Sequence, residues 1–223
     1  MLPPPPSPDP ESAAKSSPRP CCRLRTKQER SARTRTTLIR SAAEQFEHHG
    51  FERTRLSEVS EGAGVTSGAL YFHFSNKQEL ADAVEASAIR GFYRAARHTR
   101  RTRAAALAQL IDLSHAFAGL LREDVVARAG LRLNSDATPR TRLSLRQEWQ
   151  GCVQHLLVRA AEEGSLSDGV SLHTLGEVVV AATTGFAVLG RDNGEWVSRE
   201  TLRDFWRFSL PCAAVADGRP ATD

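Results

Sequence analysis

Eight of the 11 prolines stand at positions 3, 4, 5, 6, 8, 10, 18 and 20, and between Cys21 and Gly218 only Pro139 and Pro211 remain. Proline has no amide hydrogen to donate and clashes with the preceding helical turn, so its spacing limits how far a helix can run. A body almost free of it can be built from uninterrupted helices. Strand-like alternation is nearly absent, and Val178-Val179-Val180 lies inside a longer helical pattern. The expectation is an all-α chain behind a disordered, proline-rich tail.

Helix signals follow one another along the body. Ile39, Ala43 and Phe46 recur at helical spacing, Gly50 is placed to stop that helix in the left-handed conformation, and Phe51 then folds back onto it. Leu80, Val84 and Ala88 carry a second long helix, and 107–121 is leucine-rich at the same period. Thr138-Pro139 reads as an N-cap followed by proline at the first helical position, and Gly164 closes that helix. Residues 175–189 are apolar around most of the circumference, which implies burial on more than one side. Ser198 and Glu200 open a last helix carrying Leu202, Phe205, Trp206, Phe208 and Leu210. About nine helices are expected, with no internal repeat.

A net charge of +4 tilts the chain weakly toward an anionic partner, but its distribution says more. Arg23, Arg25, Lys27, Arg30, Arg33, Arg35 and Arg40 face only Glu29. A second acid-free run, Arg90, Arg94, Arg97, Arg100, Arg101 and Arg103, reads as solvated helix surface. The four cysteines (Cys21, Cys22, Cys152 and Cys212) form no CxxC pair, and no histidine stands at zinc-finger spacing. No disulfide framework, metal site or cofactor is expected, and a reducing cytoplasm fits. No apolar run long enough to span a membrane is expected, and MLPPPPSPDP lacks the apolar core of a signal peptide.

Just after the basic run comes "EGAGVTSGALYFHFSNKQEL", residues 61–80. Each glycine inside a helix costs about 1 kcal/mol relative to alanine, so this density calls for a purpose. With short helices at 56–63 and 67–72, Gly64 makes the sharp turn of a helix-turn-helix and Val59, Ala63, Val65 and Leu70 face inward. Thr66 is a natural N-cap, its oxygen accepting the amide of Ala69. Ser67, Gly68 and Ala69 keep that helix end narrow enough to enter a groove. Tyr71 and His73 reach sugar-phosphate, Lys77 supplies a point charge for a phosphate, and Arg33 and Arg35 can follow the backbone beside the motif. The predicted partner is double-stranded DNA.

Phe46, Gly50-Phe51, Thr54, the run from Ala63 to Phe74, Lys77 and Leu80 resemble the DNA-binding domain of TetR-family repressors over about residues 33–80. Members usually carry a second small hydroxyl where this chain has Arg55, which leaves capping of the first motif helix to Thr54, a residue the resemblance also implies as a DNA contact. Further on, "LIDLSHAFAGLLREDVVARAGLRLNSD" (110–136) and "EWQGCVQHLLVRAAEEGSL" (148–166) resemble the γ-butyrolactone autoregulator receptors of actinobacteria. That resemblance implies a homodimeric repressor whose pocket tryptophan is Trp149, and an apolar effector of lactone type.

A lactone with an alkyl arm needs a long apolar cavity with one or two polar anchors, and Leu110, Phe117, Leu131, Trp149, Val153 and Phe186 are the candidates to line it. The subfamily generally carries a polar residue soon after a Thr-Gly pair that here reads Thr184-Gly185-Phe186-Ala187. A pseudo-receptor answering to an antibiotic or other apolar ligand is therefore the alternative. An enzyme lacks any nucleophile–base pair or phosphate loop in this half, and a ligand-blind DNA-organising protein would show a filled core around Trp149. The expected layout is a tail at 1–22, a DNA-binding domain at 23–80, a ligand-binding and dimerisation domain at 81–217 and a short tail at 218–223.

Overall fold

A computed structural model describes residues 20–99, 104–133, 144–167 and 169–213. Among them are nine α-helices, one short 3₁₀ turn and no β-strand. In chain order they are α1 (Pro20–Arg53), α2 (Leu56–Gly62), α3 (Ser67–His73), α4 (Lys77–Thr99), α5 (Ala106–Glu123), α6 (Val125–Leu133), α7 (Leu145–Glu162), α8 (Leu172–Leu189), the 3₁₀ turn (Gly194–Val197) and α9 (Arg199–Ala213). The expected all-α class and helix number are met. Thr138-Pro139, most of the proline-rich tail and the tail at 218–223 lie outside the described residues.

Local chemistry explains most boundaries. Gly50 adopts φ 75° and breaks α1, so that Phe51 turns back and stacks on Phe46 with ring centres 5.7 Å apart. Gly64 takes φ 65° between α2 and α3, as the turn requires. Asp124 is extended, ending α5, and its carboxylate accepts the Val126 amide at 2.8 Å to start α6. The described start of α7 lies later than Pro139: Ser144 is its N-cap, accepting from the Gln147 amide at 3.3 Å. At the other end, α1 begins at Pro20, so residues 20–22, expected in the tail, form its first turn.

Two hydrophobic cores share helices. The first gathers Leu38, Ala42 and Phe46 of α1, Val59 of α2, Leu70 of α3, Phe74, and Leu80 and Val84 of α4. The second gathers Ala88, Phe92 and Ala96 of α4 with Leu110, Phe117, Trp149, Val153, Leu157, Val179 and Trp206. Helix α4 thus leaves one core at Val84 and enters the other at Ala88. Helix α6 belongs to both, with Ala129 and Leu133 in the first and Ala127 and Leu131 in the second. It can lie this close to α4 because of Gly130, where a Cβ would fall 2.6 Å from the Cβ of Ala88.

Helix α8 corrects one expectation. Its 18 residues average a mean hydropathy of 1.5, long and apolar enough by length and composition alone to cross a membrane. One stripe, with Gly176, Val179, Thr183 and Ala187, is buried, and Gly176 sits against Val153 and Leu157 of α7. Val178, Val188 and Leu189 remain exposed, as do Trp196 in the 3₁₀ turn and Phe208 on α9.

Gly130→Ala should lower the melting temperature, because the added methyl overlaps Ala88, with a cost of about 1–3 kcal/mol. The double variant with Ala88→Gly should recover part of that loss beyond the sum of the single effects. Thermal denaturation of the three variants checks both expectations.

Candidate nucleic-acid interface and effector core

Helix α3 is a short rod pinned from behind. Leu70 and Phe74 are buried, Thr66 Oγ1 accepts the Ala69 amide at 3.2 Å, and Phe74 donates its amide to the Leu70 carbonyl at 2.9 Å. The frame beneath is tight: Ser41 of α1 donates to the Val59 carbonyl at 2.9 Å, and a Cβ on Gly62 would fall 2.7 Å from the Ser41 hydroxyl. On the outer side Thr66, Ser67, Gly68, Tyr71 and Phe72 are exposed, while Ala69 and His73 are half-buried. The face expected to read DNA is therefore open to solvent.

Arg33 and Arg35 are also exposed on α1. Arg35 lies over the Phe74 ring at 5.0 Å, which ties the basic segment to the end of α3. Nearby, Glu79 accepts from the Ser75 amide at 2.8 Å and the Ser75 hydroxyl at 2.6 Å. Those two bonds, hydroxyl first, hold the Glu79 carboxyl below its ordinary value, and the charge of Arg35 adds to them.

Two of the expected DNA contacts have other roles. The Lys77 ammonium donates to the carbonyls of Phe51 (2.9 Å), Glu52 (3.1 Å) and Thr54 (3.1 Å) and lies 4.6 Å above the Phe51 ring. The last carbonyls of a helix have no partner within it, and an ammonium has three donors. Lys77 thus satisfies the end of α1. Thr54 is buried, and its hydroxyl donates to the Gly50 carbonyl at 2.8 Å, so it neither caps α2 nor faces a groove. Arg55 is the N-cap instead, its amide donating to the Glu58 carboxylate at 3.3 Å. Phe72, which carried no assignment in the sequence, is the most exposed aromatic of α3. With Leu70 and Phe74 both inward, the helical period turns position 72 away from the core.

Around Trp149 the second core closes completely. Its indole is inaccessible to solvent, stacks on Phe117 at 4.9 Å and meets Phe92 edge-on at 6.2 Å. The indole nitrogen donates to Thr183 Oγ1 at 2.8 Å, and that hydroxyl donates to the Val179 carbonyl at 2.7 Å. A second indole repeats the device: Trp206 donates to Ser114 Oγ at 2.7 Å, and Ser114 to the Ile111 carbonyl at 2.7 Å. Both chains of bonds leave a polar tip satisfied inside an apolar core.

Leu110, Phe117, Leu131 and Val153 belong to this cluster, with Phe92 beside them and Thr183 bonded to the indole. Phe186 stands at the edge of the cluster, bordering the same small space as Phe117 and Thr183. Thr183 and Ala187 hold the inward stripe of α8, and Phe186 stacks on Trp196 (6.2 Å) and meets Phe205 edge-on (5.8 Å). The space between Ser114, Phe117, Thr183 and Phe186 is about 10 Å³, at the lower limit for one water. An open groove of about 660 Å³ lies on the other side of α7, lined by residues including Tyr93, Gln109, Leu113, Cys152, His155 and Arg159. Tyr93 donates to the Glu148 carboxylate on its rim. No cluster of three or more metal-ligating side chains occurs among the described residues.

Two polar joints tie this half to the reading head. Glu85 of α4 is wholly buried and accepts the first amide of α7, that of Leu145, at 2.6 Å. At the end of α1, three arginines converge on Glu47. Arg128 of α6 pairs with its carboxylate, while Arg132 and Arg191 (3.0 Å) donate to its carbonyl.

An all-α chain with a helix-turn-helix on a shared frame and a separate apolar core is built as a one-component regulator. A profile described as "Bacterial regulatory proteins, tetR family" matches residues 38–84. The A-factor receptor protein of Streptomyces griseus is 29% identical over 84% of this chain. The chain spans 66% of that relative's length, and 25% of the next curated relative it matches. Among solved structures, a γ-butyrolactone receptor described as ArpA-like shares 30% identity at a TM-score of 0.71, covering 83% of this chain and 90% of its own. CprB of Streptomyces coelicolor, solved in complex with its operator sequence, shares 30% identity at 0.72, covering 84% and 91%. The chain belongs to the TetR family of regulators, and it resembles the γ-butyrolactone receptors along most of its length.

Lys77→Ala should destabilise the fold by about 1–3 kcal/mol, since three carbonyls lose their donor. The slope of log affinity against log salt should stay unchanged on any duplex the protein binds. A slope reduced by about one would return Lys77 to the phosphate contacts.

Proposed function

We propose that this chain is a cytoplasmic, ligand-responsive transcriptional repressor that binds a palindromic operator as a homodimer. Residues 23–80 form the reading unit and 81–217 the sensing and pairing unit. Two copies of α3 enter successive major grooves about 34–36 Å apart. The exposed apolar residues of α8, the 3₁₀ turn and α9 are the surface that pairing would cover. Arg33, Arg35, Thr66, Ser67, Gly68, Tyr71 and His73 contact DNA, with Ala69 keeping the helix end narrow.

The observation that carries ligand response is the continuity of α4 through both cores, with Glu85 bonding it to the helix that carries Trp149. A lactone with an alkyl arm would enter beside Trp149 and part α7 from α5 and α8, because the packed core leaves it no room otherwise. Each buried methylene returns about 0.8 kcal/mol, so a short alkyl arm can offset that opening. Pulling α7 then shifts α4 and the spacing of the two heads, favouring dimers that no longer fit the operator. Thr183 is the polar anchor already present at the indole. The filled core also favours a second reading, a repressor that answers to a different apolar ligand or to none.

Trp149→Phe keeps an aromatic wall but loses the bond to Thr183 and part of the buried ring, so the variant should melt lower yet fold and still bind its operator. Its complex should need at least several-fold more γ-butyrolactone for release than the wild type in a gel-shift titration. Release of the wild type by no γ-butyrolactone, with operator binding intact, would select the second reading. Release of both proteins at one concentration would remove Trp149 from sensing.

A further inference from the structure

We propose that Phe72 reads the C5-methyl group of a thymine in each operator half-site and thereby sets base preference at that position. This rests on the DNA-binding function proposed above and assigns a chemistry to one residue of the same face. The phenyl ring is 80% exposed on the helix expected to enter the major groove, next to Tyr71 at 57%. His73 meets the ring edge-on at 5.2 Å and 84°, which steadies its orientation. Buried Leu70 and Phe74 on either side hold the backbone that presents it.

Gly68 lies one turn earlier on the same face, in the first turn of α3. A Cβ at Gly68 would have Thr66 Oγ1, at 3.9 Å, as its nearest neighbour. The room beside Gly68 is therefore open to a base edge, with the Phe72 ring bordering it.

The chemistry of the ring then selects the target. A phenyl group neither donates nor accepts a hydrogen bond, so phosphate oxygens and the polar base edges offer it nothing. In the major groove the one apolar feature of the four base pairs is the thymine methyl. Tyr71, with its hydroxyl, is the neighbour suited to phosphate. The two adjacent aromatics thus divide positioning from base reading.

The test begins with duplexes selected from a random pool by the full-length protein. Each thymine of the selected site is replaced in turn by deoxyuridine, in both half-sites, and affinity is measured at one salt concentration. Wild type should show a position where each lost methyl weakens binding about fourfold. Phe72→Ala, an exposed change that leaves the core intact, should bind more weakly and no longer distinguish thymine from uracil there. Phe72→Leu should keep the distinction. Methyl-blind binding by the wild type would overturn the inference. So would a Phe72→Ala variant that is weaker but keeps the full thymine preference, which would place the ring against a deoxyribose. Failure to select any duplex would instead overturn the DNA-binding function, and the inference with it.

Discussion

A carboxylate with no access to solvent, Glu85, stands where α4 passes from one hydrophobic core to the other. A polar group so placed needs a hydrogen-bond partner, and Oε1 accepts the first amide of α7. That amide is an orphan of the helix start, which any helix must satisfy from outside. One bond therefore fixes the start of the tryptophan helix to the middle of the helix that supports the reading head. The close approach of α6 at Gly130, beside Ala88 and Glu85, locks the same crossing from a third side.

From that crossing outward, the two halves behave as one mechanical body. Glu47 at the end of α1 holds Arg128 and Arg132 of α6 together with Arg191, which follows α8. Displacement of α6, α7 or the end of α8 must strain bonds to α1 or α4, and those helices carry α2 and α3. The Trp149 indole is closed off from solvent, and the space between Ser114, Phe117, Thr183 and Phe186 is about 10 Å³. Interiors of that density have discrete alternative packings and do not deform smoothly. An effector that enters must select another packing, which suits a switch better than a preformed cavity would.

The helix-turn-helix was legible in the sequence because its signals are local. Thr66, Gly64 and Gly50 act within a few residues of themselves, and all three do what their residue types require. The structural partners of Lys77 are hidden in the sequence for the opposite reason. Its partners Phe51, Glu52 and Thr54 lie more than twenty positions away, where spacing along the chain says nothing. Thr54 faces inward because the break at Gly50 swings the following residues back toward α1. Trp149 was identified through resemblance, yet its partner Thr183 is 34 positions distant and was passed over for its neighbours at 184–186. Helix α8 shows the limit of periodicity: a nearly all-apolar helix has no polar face to say which stripe turns inward, here that of Gly176, Val179, Thr183 and Ala187.

The central claim is that the tryptophan core and the reading head are coupled through Glu85. A double-mutant cycle on operator affinity, built from Trp149→Phe and Glu85→Gln, measures that coupling directly. The account predicts that the two changes depart from additivity by about 1 kcal/mol or more, because both act on the position of α7 relative to α4. Effects that add within about 0.3 kcal/mol, in variants that melt as folded dimers, would contradict it.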